Sequence, residues 1–300
     1  MQEEQPVRFP TARLSLAMGI IGTVGAFATE AGLDPITTVF WRCVFATTFL
    51  GLWCGMRGCL AGRTLLPAHI FLAAIGGVCM VLSWTAFFAG FAMTSIATTT
   101  IVYHIQPFFV VLIGITVFKE RITLDQIFWM VGAFVGVTLA SGLFLSPQPV
   151  TSTWALGIAL TIGAAFLYAV ATILARRLGQ QRPEITALCQ TVVGVILLVP
   201  FADLNQSVPL ASWAWLAGIG VLHTGVAYVL MYSAFPQLST PVIGVLTFIY
   251  PLVAIIVDWA FYDHPLGAGQ ALGMALISAG TLGVRLGWRV SFSKAAPARS

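Results

Sequence analysis

Charged residues are scarce in this sequence. Lys, Arg, Asp and Glu make up 8% of its 300 residues, whereas soluble domains contain about a quarter. The hydrophobic fraction is 59%, which is more apolar surface than a soluble core can bury. The shortage of charge therefore excludes a soluble globular fold and indicates a membrane protein.

Catalytic and metal-binding patterns are also missing. The sequence has no His-Glu-x-x-His, no Gly-x-Ser-x-Gly and no phosphate loop, and its few acids are scattered. A membrane-embedded enzyme, the main alternative from another class, would need a nucleophile with its base, a metal cluster or paired carboxylates. The five cysteines show no metal-ligand spacing. We therefore expect no enzyme activity, no metal and no cofactor.

Long apolar runs are what the sequence has instead. Runs of roughly 20 residues recur, each long enough to cross about 30 Å of hydrocarbon as a helix. They are continuous rather than alternating, which excludes a barrel of tilted strands. We predict an all-α membrane protein with ten transmembrane helices, at residues 13–30, 35–54, 69–90, 95–117, 124–144, 154–175, 184–201, 212–233, 238–261 and 267–288.

The basic residues indicate an orientation. Lys and Arg in short loops stay in the cytoplasm. With a cytoplasmic N-terminus, every basic residue except Arg42 falls on the cytoplasmic side, and Asp34, Asp203 and Asp263 lie in outer loops. We therefore predict that both termini are cytoplasmic. The net charge of +4 is then a sign of orientation and not of nucleic-acid binding.

The sequence contains an internal repeat. Residues 88–143 resemble residues 232–286 at an offset of 144 positions, which aligns Pro107 with Pro251. Because each half would hold an odd number of helices, the second half must enter the membrane from the opposite side. We predict two inverted five-helix repeats, residues 1–147 and 148–300, around a central cavity. Such repeats are typical of carriers that alternate between outward- and inward-facing states.

Several segments resemble a known family, the drug/metabolite transporter superfamily in its ten-helix EamA-type branch. They are Asp34-Pro35 followed by Arg42, residues 88–100 leading to Pro107, Phe118-Lys119-Glu120-Arg121-Ile122 followed by Gly132 and Gly136, and Ala164-Ala165-Phe166 with Arg176-Arg177. The second half departs from the family pattern, since Asp263-His264-Pro265 stands where a Glu-Arg pair is common.

The resemblance implies a multi-pass carrier in a bacterial inner membrane. Within the family, the sequence looks similar to exporters of aromatic and hydrophobic amino acids, and we expect export of such small amphipathic metabolites by alternating access. Drug, sugar-phosphate and nucleotide-sugar carriers share the architecture, so broader drug or metabolite efflux is the alternative.

Two prolines at matched positions predict bends in the membrane. A proline removes one backbone donor and bends its helix. Because Pro107 and Pro251 match across the repeat, we predict that they are hinges. A static packing kink is the alternative.

Aromatic and polar side chains cluster near these prolines and at matched places in helices three and eight. Ring faces with a few hydrogen-bonding tips suit an amphipathic solute, whereas a phosphate needs clustered Lys or Arg. The alternative is that these side chains only fill the bundle. We predict that substrate is bound by Trp84, Phe88, Tyr103, His104, Gln106, His223, Tyr228, Tyr232, Thr247 and Tyr250.

Ionisable residues inside membrane helices are rare and are often functional. Arg42, about two turns into helix two, can meet a substrate carboxylate or extend toward the headgroups. Glu30 and Asp258, near outer helix ends, can pair with Arg42, take part in proton coupling or be solvated. We interpret Lys119-Glu120-Arg121 as an interfacial anchor.

Helices five and ten are rich in small residues. Gly132 with Gly136, and Gly269 with Gly273, recur every four positions, which lets helix backbones approach closely. These faces predict either packing within a monomer or a weak homodimer contact. The expected partners are therefore a small-molecule substrate and the lipid bilayer.

Overall fold

The computed structural model describes residues 9–59, 66–141, 151–262 and 266–290. All the regular secondary structure in these residues is helical. The predicted boundary between the repeats, at residues 147 and 148, lies outside the described residues, as does Asp263-His264-Pro265.

The helices are numbered in chain order. They are α1 (Pro10–Gly22), α2 (Val24–Ala31), α3 (Pro35–Met56), α4 (Pro67–Met93), α5 (Ile96–Tyr103), α6 (Gln106–Phe118), α7 (Leu124–Ala140), α8 (Ser152–Arg177), α9 (Pro183–Leu198), α10 (Leu210–Gly218), α11 (Ala227–Ala234), α12 (Thr240–Leu246), α13 (Ile249–Phe261) and α14 (Ala268–Leu286). A π-helical segment, Ile219–Val226, joins α10 to α11, and a 3₁₀ turn, Phe235–Gln237, follows α11.

Local sequence explains where several helices begin. The side chain of Asp34 accepts hydrogen bonds from the backbone N–H groups of Ile36 and Thr37, which caps α3. Thr123 and Gln126 form a reciprocal capping box at the start of α7. These caps satisfy backbone donors that have no partner within the helix.

Two spans are interrupted just before a proline. The break between α5 and α6 falls at His104 and Ile105, and the break between α12 and α13 falls at Thr247 and Phe248. Pro107 and Pro251 have no N–H to donate to the carbonyl four residues earlier. The break before Pro107 begins three residues ahead of that proline and the break before Pro251 begins four residues ahead, so the two lie at nearly matched places. The sequence predicted single bent helices there.

Five helix pairs are among those that pack together in the bundle. They are α7 with α14, α4 with α8, α3 with α9, α1 with α11 and α6 with α12. Between α7 and α14 the backbones touch, because a Cβ atom on Gly136 would lie 2.6 Å from the carbonyl oxygen of Gly273. A Cβ atom on Gly280 would lie 2.5 Å from the carbonyl oxygen of Trp129. The glycine faces of these two helices thus pack within one chain.

Large apolar side chains cover the outside of the bundle. Leu82, Leu112 and Ile196 are examples that are about half exposed, and a water-soluble surface rarely carries so many. Seven described segments, each an apolar helical stretch of 18 or more residues, are long enough to cross a membrane, and α7 and α9 are shorter apolar helices. The fold is a multi-pass helical membrane bundle, and the count of ten spans stays a prediction.

The two ends of the bundle differ in charge. One end, called here the basic end, carries Arg57, Lys119, Arg121, Arg176 and Arg182. The opposite end, called here the acidic end, carries Glu30, Asp34, Asp203 and Asp258. Contacts between helix ends hold each end of the bundle together, such as Arg182 with Cys59 and Tyr262 with Glu30.

Candidate functional site

Arg42 lies inside the bundle, away from both ends. It is seven residues beyond Pro35, the first residue of α3, which places it about 10 Å along the helix axis. Its side chain is half-buried. An arginine at this depth needs partners, because a charge away from water is costly.

Aromatic rings and a hydroxyl surround the guanidinium group. Its central carbon lies 4.2 Å from the ring centroid of Trp84 and 5.7 Å from that of Tyr228, within the range of cation–π attraction. Nε donates a hydrogen bond of 2.5 Å to Oγ1 of Thr224, and Nη2 lies 3.5 Å from the hydroxyl of Tyr228. The site therefore joins α3 and α4 of the first half to the π-helical segment and α11 of the second.

The π-helical segment brings Thr224 to Arg42. A Cβ atom on Gly220 would lie 2.9 Å from the carbonyl oxygen of Arg42, so α3 approaches this segment at a residue that has no side chain. Thr224 follows one wide turn later and also donates to the carbonyl of Ile219 at 3.2 Å. Short π-helical stretches occur frequently at functional sites.

A ladder of rings extends from Arg42 toward the basic end. Tyr228 lies 6.1 Å from Trp84 and 5.5 Å from Tyr232, measured between ring centroids. The hydroxyl of Tyr232 donates to Oε1 of Gln190 on α9. Nε2 of Gln190 is buried and has no hydrogen-bond partner among the described residues.

A second aromatic group lies beside the two interrupted spans. His104 stacks on Tyr250 at 5.7 Å and on Phe248 at 6.1 Å, which joins the break before Pro107 to the break before Pro251. Tyr103 packs on Phe87 at 4.6 Å. Its hydroxyl lies 3.3 Å from Oγ of Ser83, next to Trp84 in the sequence, so the second group adjoins the first.

The other predicted binding residues have local roles in this structure. Thr247 donates to the carbonyl of Gly244 at 2.6 Å, and Phe88 stacks on Phe91. Gln106 is buried, and its Oε1 has no partner among the described residues. The structure does not bring these three side chains to Arg42.

His223 faces a different neighbour. Its Nε2 lies 2.8 Å from Oγ1 of Thr23, at the break between α1 and α2, and its Nδ1 lies 3.2 Å from the carbonyl of Gly218. Phe27 packs against the imidazole ring. His223 therefore connects the π-helical segment to the first span rather than to the aromatic ladder.

Carboxylates lie near the ends of the bundle. Glu30 is exposed and accepts a hydrogen bond of 3.1 Å from Tyr262, and Asp258 interacts electrostatically with the same tyrosine. Among the described residues, no carboxylate lies within ion-pair distance of Arg42. The pairing of Arg42 with Glu30 or Asp258 that the sequence left open is therefore not present.

Glu120 connects three helices at the basic end. Its Oε1 accepts a hydrogen bond of 2.6 Å from Arg176, and its Oε2 accepts from the backbone N–H of Thr240 at 2.9 Å and from the Thr240 hydroxyl at 2.5 Å. Burial raises the pKa of this carboxyl, but the hydrogen bonds from Thr240 and Arg176 outweigh it and leave the pKa below its ordinary value. Lys119 and Arg121 are exposed, so only the flanking residues of this cluster face outward, as an interfacial anchor would.

Two surface grooves lie away from this site. Their volumes are about 220 and 200 Å³: the first is apolar, between α6 and α7, and the second is beside Trp129 and Trp288. Neither is lined by a predicted binding residue. The central cavity stays a prediction.

Four further residues contribute to the site, although sequence reasoning did not select them: Ser83, Tyr168, Gln190 and Thr224. A π-helical turn leaves no simple pattern in sequence, so the proximity of Thr224 to Arg42 could not be predicted. Tyr168 lies 6.0 Å from Tyr103 and interacts electrostatically with Arg42. It is the one tyrosine of α8, and this was the signal available in the sequence.

A multi-pass helical bundle with one cation among aromatic rings is typical of a membrane transporter. No cluster of three or more His, Cys, Asp or Glu side chains suited to a metal occurs in the described part of the chain. Comparison with known proteins defines the class more closely. The chain belongs to the EamA-like transporter family, whose model matches residues 13–142 and 155–286.

Individual relatives are also transporters. An uncharacterized transporter, YxxF of Bacillus subtilis, is 31% identical over 274 residues, which cover 89% of this chain and 86% of that protein. The threonine/homoserine exporter RhtA of Salmonella typhimurium is 27% identical over 179 residues, or 58% of this chain and 59% of the exporter. The pseudopaline exporter CntI of Pseudomonas aeruginosa is 23% identical and covers 87% of this chain and 90% of its own.

A solved structure shares the fold. One crystal structure superposes with a TM-score of 0.81 over 92% of this chain and 98% of the other, at 16% sequence identity. The described helices therefore form a known architecture. Family membership further establishes that the protein is a membrane transporter and not an enzyme.

Proposed function

We propose that this protein is a carrier that exports small amphipathic metabolites, in particular amino acids with aromatic or other hydrophobic side chains, by alternating access. One observation carries the proposal. The cationic and aromatic site is built from both halves of the chain and adjoins the two spans that are interrupted before Pro107 and Pro251.

The helix pairing supports ten spans in two inverted repeats, residues 1–147 and 148–300. In that scheme α3 corresponds to α9, α7 to α14, and the interrupted span α5–α6 to the interrupted span α12–α13. Each pair of equivalent spans is in contact: α3 with α9, α7 with α14, and the two interrupted spans through α6 and α12. The contact of α4 with α8 corresponds to that of α11 with α1, which is also present. Pairing of equivalent helices is what a twofold relation in the membrane plane produces.

We propose that the two interrupted spans bend during alternating access. Each break leaves carbonyl groups without the N–H of a proline, which lowers the resistance to bending there. His104 stacks on rings from the other interrupted span. Bending at Pro107 and Pro251 would separate these rings and open a path between the two interrupted spans, so we propose that both prolines are hinges.

We propose that the basic end is cytoplasmic and that the protein lies in a bacterial inner membrane. The positive-inside rule supports this orientation, and the relatives include bacterial transporters. Because the glycine faces of α7 and α14 are used within one chain, we propose a monomer as the transporting unit.

The charge of the site favours amino acids over cationic drugs. Arg42 repels a cation, and the described residues place no carboxylate beside it to compensate. The exporter RhtA, named for threonine and homoserine, supports an amino-acid substrate. The exporter CntI, named for pseudopaline, supports the alternative of a broader metabolite efflux carrier.

Counterflow in proteoliposomes tests the proposal. Vesicles loaded with unlabelled phenylalanine, methionine or threonine should accumulate the labelled amino acid transiently, whereas vesicles loaded with nucleosides or cationic drugs should not accumulate theirs. His104→Ala should reduce the exchange, because it removes the stack between the two spans. His69→Ala is a matched control, since His69 lies at the start of α4 away from the site.

Two results would overturn the proposal. Exchange of cations alone would make the protein a drug carrier, and absence of exchange for every solute would remove the carrier function as stated. An equal loss in His104→Ala and His69→Ala would show that the stack has no part in transport.

A further inference from the structure

We infer that Arg42 is the carboxylate anchor of the site, so that the substrates are carboxylates with an apolar body, whether or not they also carry an ammonium group. The inference rests on the proposed function for its biological meaning. It names the chemical group that the site recognises. Because that group is the carboxylate, the expected substrates include apolar carboxylates that are not amino acids.

Arg42 is held in place by partners that leave its binding edge available. Thr224 accepts from Nε, and the face of the guanidinium lies over Trp84. The two terminal nitrogens remain, with Nη2 in only a long contact of 3.5 Å to Tyr228. A carboxylate is bound most strongly by such a planar fork, through two parallel charge-assisted hydrogen bonds.

The charge of Arg42 is not neutralised by the described chain. The acids nearest to it along the sequence, Glu30 and Asp34, are used at the acidic end, where Asp34 caps α3 and Glu30 meets Tyr262. A half-buried cation without a carboxylate is costly in a membrane bundle. A bound carboxylate would remove that cost, which makes the ligand the missing partner.

An ammonium group finds no ion-pair partner at the same place. The described carboxylates lie near the ends of the bundle, and the positive charge of Arg42 opposes a second cation nearby. The hydroxyl of Thr224 is already engaged with Nε of Arg42. Recognition of an amino acid would therefore depend on its carboxylate, and its ammonium would contribute little.

The rest of the site suits an apolar body. Trp84, Tyr228 and Tyr232 present successive rings from Arg42 toward the basic end. An aromatic or branched aliphatic group of a ligand anchored at Arg42 would lie against these rings, where it buries apolar surface and makes ring contacts. The site thus combines one charged fork with an apolar wall.

Binding to the purified full-length protein in detergent tests the inference. Two matched pairs of ligands separate the groups: 3-phenylpropionate and 3-phenylpropionamide differ in the carboxylate, and phenylalanine and 3-phenylpropionate differ in the ammonium. The shift of the thermal unfolding midpoint with ligand concentration gives each apparent Kd. We expect 3-phenylpropionate to bind at least about tenfold more tightly than its amide, and phenylalanine to bind within about threefold of 3-phenylpropionate.

Variants of Arg42 on α3, and of Arg57 immediately after α3, complete the test. Arg42→Gln should lose the preference for the carboxylate, and Arg42→Lys should keep the preference with weaker binding because it retains the charge without the fork. Arg57→Gln is the matched control, because Arg57 also lies over a tryptophan, Trp53 at 4.8 Å, but at the basic end. It should bind like the unmodified protein.

Equal binding of acid and amide would overturn the inference, as would a preference that survives Arg42→Gln or absence of stabilisation by every carboxylate tested. An Arg42→Gln protein that unfolds at the usual temperature without ligand shows that its loss is not a folding defect. Carboxylate binding that depends on Arg42 without any counterflow would refute the carrier function and leave the anchor intact. Counterflow in which acid and amide compete equally would refute the carboxylate anchor and leave the carrier function intact.

Discussion

Arg42 and Arg176 have similar aromatic neighbours and opposite electrostatic surroundings. The guanidinium of Arg42 lies 4.2 Å from the ring centroid of Trp84, and that of Arg176 lies 4.1 Å from that of Phe118. Arg176 meets the carboxylate of Glu120 at 2.6 Å, whereas Arg42 meets hydroxyl groups and no described carboxylate. One arginine is paired within the protein, and the other has its charge available.

The difference distinguishes an arginine that stabilises the helix bundle from an arginine that can bind a solute. A paired arginine at the basic end fastens α6, α8 and α12 through Glu120 and Thr240, so it stabilises one arrangement of the helices. An arginine without a carboxylate adds little to that stability, since its desolvation is not offset by an ion pair. It can instead offer its hydrogen bonds to a solute.

The strongest test of this contrast is transport by Arg42→Gln. We expect the rate of substrate counterflow to fall roughly a hundredfold, because two charge-assisted hydrogen bonds to the carboxylate are lost. The ligand-free protein should unfold at an unchanged or higher temperature. Transport that continues at the normal rate would remove Arg42 from the binding site.

Arg176→Gln should have the opposite profile. The change leaves Glu120 without its cation, so we expect the free energy of unfolding to fall by about 1–3 kcal/mol. Thermal unfolding in detergent measures the loss, and carboxylate binding should persist at temperatures where the variant is folded. Arg177→Gln is a matched control, because Arg177 is exposed and adjoins Arg176 in the sequence.

Thr224→Val should weaken binding less than loss of Arg42 itself. The valine removes the acceptor of Nε and leaves the fork in place but less well positioned. We expect an apparent Kd about three- to tenfold higher for 3-phenylpropionate, from the loss of one hydrogen bond. Unaltered affinity in a folded Thr224→Val protein would show that Arg42 is positioned by Trp84 and Tyr228 alone.

Acidification should weaken the pairing of Glu120 with Arg176. We expect the resulting change in the thermal unfolding midpoint to be the smallest of these effects. The pKa of Glu120 is lower in the folded protein than the ordinary 4.5, so its contribution to stability is present above that value and is lost as pH falls through the folded pKa. The unfolding midpoint should therefore decline below about pH 4.5, and less steeply in Glu120→Gln. Identical pH profiles for the two proteins would contradict the role given to Glu120.

Much of the fold follows from the sequence, for reasons that are local. Apolar runs fix which residues are helical, and a proline interrupts its own helix wherever the helix lies. The matched positions of Pro107 and Pro251 therefore indicated both bends before any contact was known. Arg42 was selected for the same kind of reason, since a charge in an apolar run is conspicuous.

Contacts between distant residues were beyond that reasoning. Glu120 was interpreted with Lys119 and Arg121 as part of an interfacial anchor, but its partners lie 56 and 120 positions further along the chain. The wide turn that carries Thr224 to Arg42 depends on how α3 packs at Gly220. Such features depend on the packing of whole helices, which no short segment of sequence specifies.

The glycine contact between α7 and α14 limits how this protein can change shape. Where main-chain atoms of two helices meet directly, no rotamer can swing aside to let one helix tilt against the other. The two helices should therefore move together as one rigid body. Any conformational change that admits a solute must then occur in the interrupted spans. A bulky residue in place of Gly136 would force α7 and α14 apart without contacting the solute pathway.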